Sequence, residues 1–407
     1  MIASLLGLVP LYLLVALGYQ AIALTPDDPR ADAPAFGGRG PRAVGTREAR
    51  TDGAAGMPLT LWYPAAEGVA TTTRTGYGYE LKWFVRAAAP VRTVGRAVRD
   101  APAAPVPAAA PVVVLSSGFA LPRGGYVWLA ERLASHGFVV VAPEHPELMD
   151  AALDGFWKGV IDRPGDLTEV LDWLDGAAAP GGVLAGVADP GRVAVVGHSL
   201  GGTTALAAAG ARLDLDGFAQ LCAEPAWSEG EQAFLCDLVL QDVDAMAERA
   251  GLAATPTGLW PSLRDERVDA VVAMASDAFL FGPAGLSHVG APLLAIGGTD
   301  DASAPFAWSS AWAFEHASSG RKALAALEGA GHMVFAGSCG AVPFYRAIGA
   351  GGFCSDAVWA MDEAHDAVAH LVTAFLQAEL AGDGDAAAAL ASTSMDLAQV
   401  AFRVDGY

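Results

Sequence analysis

Apolar residues in this chain gather into short continuous runs separated by longer amphipathic stretches. Pro111–Ser117 (PVVVLSS), Phe138–Pro143 (FVVVAP), Arg192–Gly197 (RVAVVG), Asp269–Ala275 (DAVVAMA), Pro292–Gly298 (PLLAIGG) and Ala323–Leu327 are strand-length and nearly free of polar positions. Gly125–His136, Asp166–Asp175, Ala302–Ser319 and Asp362–Leu380 read as helices between and after them. In the second of these, Leu167, Val170, Leu171 and Leu174 recur on one face. Strands that are apolar on both faces and alternate with helices imply an α/β fold, a mostly parallel central sheet flanked by helices. Pro58–Pro64 (PLTLWYP) alternates well enough to be a strand near the start of the folded part.

The rhythm breaks in four places. Leu213–Val268 is acidic and carries Trp227 and Trp260, and an insertion there falls at the carboxyl ends of the strands, where such sheets bind ligands. We read 213–268 as a cap-like insertion. Thr25–Arg42 is rich in Pro, Gly, Ala and Asp and reads as a tether, and Ala87–Pro111, ending in APAAPVPAAAP, reads as a flexible surface connection. Met1–Leu24 has no charged residue, is long enough to span a bilayer, and ends in the small-x-small sequence Ala21-Ile22-Ala23 that signal peptidase cuts. Export is expected, with a cleaved signal peptide and a retained membrane anchor both open. The resulting division is 1–24 signal or anchor, 25–45 flexible linker, 46–382 the α/β domain, and 383–407 a C-terminal tail.

Composition narrows the partners. With 45 acidic against 24 basic residues the net charge is −21, which excludes nucleic acid and anionic membrane surfaces as electrostatic partners. A hydrophobic fraction of 53% guarantees a large core. The 4 cysteines form two local pairs, Cys222 with Cys236 and Cys339 with Cys354, and in an exported chain such pairs read as disulfides. No C-x-x-C or Cys/His cluster suggests a metal, and no cofactor is expected.

Chemistry concentrates at Arg192–Gly202 (RVAVVGHSLGG). A β-branched run stops at Gly197, Ser199 follows, and a helix-forming tail runs from Thr203 to Ala211. In a chain with 48 glycines the bare pattern G-x-S-x-G arises by chance on the order of a quarter of a time, so the strand before it and the helix after it carry the reading. A strand, a tight turn with one hydroxyl at its apex and a helix form a nucleophile elbow. A serine nucleophile needs a base, a group that orients the base, and donors for the developing oxyanion, with the acid and then the histidine following the serine along the chain. Asp301 directly follows a late strand and precedes Ala-Ser-Ala-Pro305; Asp300 is its neighbour, and Asp277, after the preceding strand, is a third candidate. His332 stands on a glycine-flanked loop after the last predicted strand. His198 is locked beside the serine, His365 and His370 belong to the terminal helix, His136 and His145 come too early, and His288 and His316 are less well placed. The oxyanion donors are expected to be the backbone N–H groups of Leu200, at the positive end of the elbow helix, and of Phe119, beyond the strand 111–117.

The segments LWYP (61–64), VVVLSSGF (112–119), LASHGFVVVAPEHP (133–146), DRPGDLTEVLDWL, RVAVVGHSLGG, PLLAIGGTDD and GAGH, with both cysteine pairs, resemble the predicted dienelactone hydrolases close to the platelet-activating-factor acetylhydrolases. The resemblance runs from about Leu59 to Leu380. It implies an α/β-hydrolase fold and cofactor-free carboxylic-ester hydrolysis by Ser199, Asp301 and His332. Relatives usually carry S-H-G where this chain has Ser116-Ser117-Gly118, which alters how that loop is held. The elbow also resembles those of polyester hydrolases and cutinases, but Ser276-Asp277 stands where those enzymes often carry a Trp. The expected activity is hydrolysis of small to medium acyl esters. Its rivals are a lipase or polyester hydrolase and a catalytically silent hydrolase-fold binding protein.

Overall fold

The structure, a computed structural model, describes residues 29–52, 56–69, 75–81, 89–104, 109–149, 155–230, 232–338, 352, 354–391 and 397–407, and the backbone of 23–24. The expected signal or anchor segment 1–24 and Cys339 lie almost wholly outside them. No described helix is long and apolar enough to cross a membrane.

Among the described residues ten strands form the main sheet: β1 (Val44–Arg50), β2 (Pro58–Pro64), β3 (Val98–Arg99), β4 (Ala110–Ser116), β5 (Val139–Pro143), β6 (Ala188–His198), β7 (Val268–Met274), β8 (Leu293–Gly298), β9 (Lys322–Leu327) and β10 (Val400–Asp405). Their order is β10-β9-β8-β7-β6-β4-β5-β2-β1-β3. The six from β9 to β5 are mutually parallel, and β2 and β10 join that block antiparallel at its two sides. The expectation of a mostly parallel sheet flanked by helices holds.

Register explains the unbroken apolar runs. Val114 pairs with Val195, which pairs with Val271, and these side chains enter the core on one face. Leu115, Val196 and Val272, one position on, enter the core on the other. Period-2 alternation thus feeds two cores. One is covered by the long helix α2 (Gly155–Ala178), the other by α1 (Val127–Ser135) and the C-terminal helix Met361–Ala381. The apolar face read from the sequence places this helix at Asp166–Asp175, yet it begins at Gly155 and runs through Pro164, which removes one helical N–H. Burial of Phe156, Val160 and Ile161 outweighs the lost hydrogen bond.

Three sequence expectations need correction. Residues 29–43, expected as linker, are laid across two helices: the Arg30 amide donates to Asp366 Oδ2 at 3.0 Å, the Phe36 amide to His370 Nδ1 at 3.2 Å, and the Gly40 amide to Ser135 Oγ at 2.8 Å. Side chains on the receiving helices satisfy a backbone too poor in apolar residues to announce itself. The described part of Ala87–Pro111 holds the strand Ala89–Gly95, which pairs antiparallel with Thr75–Leu81 in a separate small sheet, and β3. The tail 383–407 supplies a short helix, Gly384–Ala389, and β10, which covers the edge of β9 in antiparallel register with Arg403 opposite Leu324.

The insertion 213–268 is helical: Leu215–Cys222, Pro225–Ser228, Ala233–Leu240 and Val243–Arg249. Its buried Trp227 packs at 5.1 Å from the ring of Phe279 and 5.5 Å from that of Trp308, residues that follow β7 and β8. Cys222 and Cys236 form the expected disulfide between two of these helices. Replacing both by Ser should lower the unfolding free energy by about 3 kcal/mol, the chain-entropy value for a loop of this length. Guanidinium unfolding monitored at the tryptophans checks this, and an unshifted midpoint would contradict it.

Candidate active site

Strand β6 ends at His198, and α3 (Leu200–Ala208) begins two residues later, so Ser199 makes the whole turn. Its backbone sits at φ 56°, ψ −127°, a region L-residues avoid. The strain is held by neighbours. The Ser199 amide donates to Met274 O at 2.8 Å, and the Thr203 amide closes the first helical bond onto Ser199 O at 3.0 Å. A Cβ on Gly197 would lie 2.0 Å from Gly201 O, and one on Gly201 would lie 2.1 Å from Ser116 O. Strand, helix and the end of β4 therefore meet at a spacing only glycine permits.

Two loops bring side chains to this apex. His332 opens the turn His332–Phe335 after β9, and Asp301 lies beyond β8. His332 Nε2 is 2.9 Å from Ser199 Oγ, and His332 Nδ1 is 2.7 Å from Asp301 Oδ2. Asp301 Oδ1 accepts from the amides of Ser303 at 2.8 Å and Ala304 at 2.7 Å, which fixes the carboxylate's orientation. A carboxylate can only accept, so Nδ1 carries the imidazole proton and Nε2 presents its lone pair to the serine hydroxyl. Burial disfavours the His332 imidazolium, but the charge and hydrogen bond of Asp301, with Asp277 farther off, outweigh it and raise its pKa above the ordinary 6.5.

The other carboxylates stand apart. Asp300 is exposed, with its amide bonded to Ala330 O at 3.0 Å. Asp277 is buried and bound to Thr203, its Oδ2 accepting from the hydroxyl at 2.9 Å and its amide donating to the same oxygen at 2.8 Å. Burial pushes Asp277 up to about 6, against the pull of His332 and the Thr203 bond.

His198, beside the serine, faces away into a hydrogen-bonded chain. Its Nε2 is 3.0 Å from His332 O and must donate, because a carbonyl cannot. Burial, then the nearby His332, hold His198 neutral, so its Nδ1 accepts from Tyr126 Oη at 2.7 Å. Tyr126 Oη in turn accepts from the Gly118 amide at 3.1 Å. The backbone of His332 is thereby linked to the loop after β4. Tyr126 carries no motif in the sequence, and only the fold reveals this part. Of the expected oxyanion donors, Leu200 is the first residue of α3 and its N–H has no acceptor within the helix. Phe119 follows Gly118, where a Cβ would lie 3.3 Å from Ser199 Cβ. Among the remaining histidines, His365 Nε2 lies 2.9 Å from Ala336 O, and His145 is bonded to Ser116 Oγ and Asp166.

Because the Gly197 contact is backbone against backbone, no side-chain rearrangement can relieve it. Gly197→Ala should abolish reaction of Ser199 with any hydroxyl-directed probe, or prevent folding. Soluble variant protein labelled at the wild-type rate would contradict this.

Two sequence families match parts of the chain: chlorophyllase over residues 102–225, and platelet-activating factor acetylhydrolase, isoform II, over residues 40–157. A bis(hydroxyethyl) terephthalate hydrolase of Streptomyces coelicolor is 35% identical over 103 residues, 25% of this chain and 29% of that protein. Cutinase est2 of Thermobifida alba is 33% identical over 105 residues, 25% of this chain and 31% of that protein. The chain thus spans about three-tenths of the length of these relatives. Among solved structures, a ferulic acid esterase from Streptomyces cinnamoneus superposes with a TM-score of 0.54 at 21% identity, covering 91% of this chain and 98% of that one.

Proposed function

We propose that this chain, which has the α/β-hydrolase fold, is a serine carboxylic-ester hydrolase acting on small to medium acyl esters. The observation that carries the reading is the continuous line of hydrogen bonds Ser199–His332–Asp301 at 2.9 and 2.7 Å, built on the strained turn. His332 Nε2 removes the Ser199 hydroxyl proton as Oγ bonds to the ester carbonyl carbon. The carbonyl electron pair moves to oxygen, where the Leu200 and Phe119 N–H groups receive it, each such donor worth about 3 kcal/mol in the transition state. On collapse the C–O bond breaks and the Nε2 proton passes to the leaving alcohol. Water, deprotonated by the same nitrogen, then releases the acid and restores Ser199. Asp301 keeps the imidazole in the required tautomer and stabilises its charged form.

Two features support export: the uncharged apolar stretch 1–24 and the Cys222–Cys236 disulfide, which persists in oxidising surroundings. The insertion 213–268, packed on the segments that follow β7 and β8, supports its reading as a cap that shapes the acyl site. The match to a bis(hydroxyethyl) terephthalate hydrolase and cutinases favours a second reading, polyester hydrolysis. Faster turnover of polyester film than of short p-nitrophenyl esters would select it.

A fluorophosphonate probe should label the wild type and not Ser199→Ala; equal labelling of both would remove the nucleophile assignment. Asp301→Asn should lower kcat by about 10⁴-fold through the wrong tautomer, and Asp300→Asn should leave it nearly unchanged. The reverse order would move the acid to Asp300. Turnover requires neutral His332, so kcat/KM falls as pH drops through its pKa. The acid limb should therefore lie above 6.5 in the wild type. In Asp301→Asn burial acts with less opposition, and the limb of the residual activity should move to lower pH. A limb that stays in place would show that another group titrates.

A further inference from the structure

The loop after β4 is gripped from behind by one side chain. Arg163, on α2, has no exposed surface. Its Nε donates to Glu147 Oε1, its Nη1 to Ser117 O, and its Nη2 to Gly118 O at 3.4 Å. A trans peptide unit is planar, so its C=O and N–H point in opposite directions. The Ser117–Gly118 unit shows the consequence. Its carbonyl faces Arg163 while its N–H, on the other side, donates to Tyr126 Oη at 3.1 Å. In the next unit the Gly118 carbonyl also faces Arg163, so the Phe119 N–H faces away from the guanidinium. Gly118 is itself packed beside the nucleophile, a Cβ there lying 3.3 Å from Ser199 Cβ. Ser117 Oγ is buried with no partner among the described residues, so the side chain at this position does not hold the loop; the backbone carbonyls do.

We propose that Arg163 is a positioning residue for ester hydrolysis: by binding the carbonyls of Ser117 and Gly118 together it fixes the rotation of the Gly118–Phe119 peptide and aims the Phe119 N–H at the oxyanion. Glu147 holds the guanidinium in plane and balances its charge, so the effect is one of aim rather than of net field. A planar fork is required, because a point-like ammonium cannot bond two carbonyls and a carboxylate in fixed directions. The proposal rests on the esterase reading.

The test compares wild type, Arg163→Lys and the paired variant Arg163→Gln/Glu147→Gln, which removes both charges of the buried pair together if the single change impairs folding. Active sites are counted by fluorophosphonate titration carried to completion, so misfolded protein does not enter the rates. Per titrated site, kcat should fall about ten- to a hundredfold, less than for outright removal of a donor. KM should change little, and inhibition by a trifluoromethyl ketone, whose adduct places an oxyanion in the same position, should weaken by the same factor as kcat. A purely structural role would lower the number of sites and leave per-site kcat and ketone affinity unchanged, which overturns the proposal, as does a loss of kcat without loss of ketone affinity. A wild type that the probe does not label removes the esterase reading itself, a failure distinct from either.

Discussion

The site depends on one close approach: the backbone of β6, the start of α3 and the end of β4 pack with no side chain between them. Because Gly197 and Gly201 leave 2.0 to 2.1 Å where a Cβ would stand, the turn can be completed by a single residue. That residue must take a positive φ and must project its side chain from the apex. Local strain of about 1–3 kcal/mol is sustainable only where the surroundings over-determine the conformation, and here the two parallel strands beside β6 do so. Met274 O on β7 receives the Ser199 amide, and the end of β4 closes on Gly201. Without the six-stranded parallel block the elbow would relax.

The same strands deliver the partners. Parallel strands end on one side of a sheet, so the loops after β4, β6, β7, β8 and β9 converge there whatever their length. Among the described residues, three of the five non-glycine residues at positive φ lie at these ends: Ala120, Ser199 and Ala275. The hydrogen-bond chain from the Gly118 amide through Tyr126 and His198 to the His332 carbonyl ties the β4 loop to the β9 loop beneath Ser199. The His332 loop and the loop after β4 are therefore positioned against each other as well as against the sheet.

This geometry accounts for what the sequence disclosed. Ser199, His332 and Asp301 were legible because each sits at a strand end, and strand ends are marked by apolar runs breaking at glycine or aspartate. Tyr126, Arg163 and Glu147 were not. Their contacts join a helix or turn to a loop distant in sequence, and a lone tyrosine or an arginine inside a helical stretch has no local signature. Residues 29–43 and 400–405 were missed for a related reason. Each is stabilised by what it covers: side chains of α1 and the C-terminal helix in one case, the open edge of β9 in the other. Composition reports a segment's own ability to bury apolar surface, and these segments borrow that of their neighbours.

The two buried carboxylates near His332 illustrate how surroundings divide roles between like groups. Asp301 and Asp277 each follow a strand of the parallel block, and each lies close enough to influence the imidazole. Asp301 receives two backbone amides on one oxygen and the imidazole on the other, so its charged form is directly hydrogen-bonded. Among the described residues Asp277 has one hydroxyl and no positively charged hydrogen-bond partner, and burial raises it to about 6. Near neutral pH both groups favour the charged form of the His332 imidazole. As the medium approaches pH 6, Asp277 takes up a proton and its share of that support is lost. One carboxylate is thus tied directly to His332 Nδ1, while the other, held by Thr203, acts on the imidazole through its charge alone.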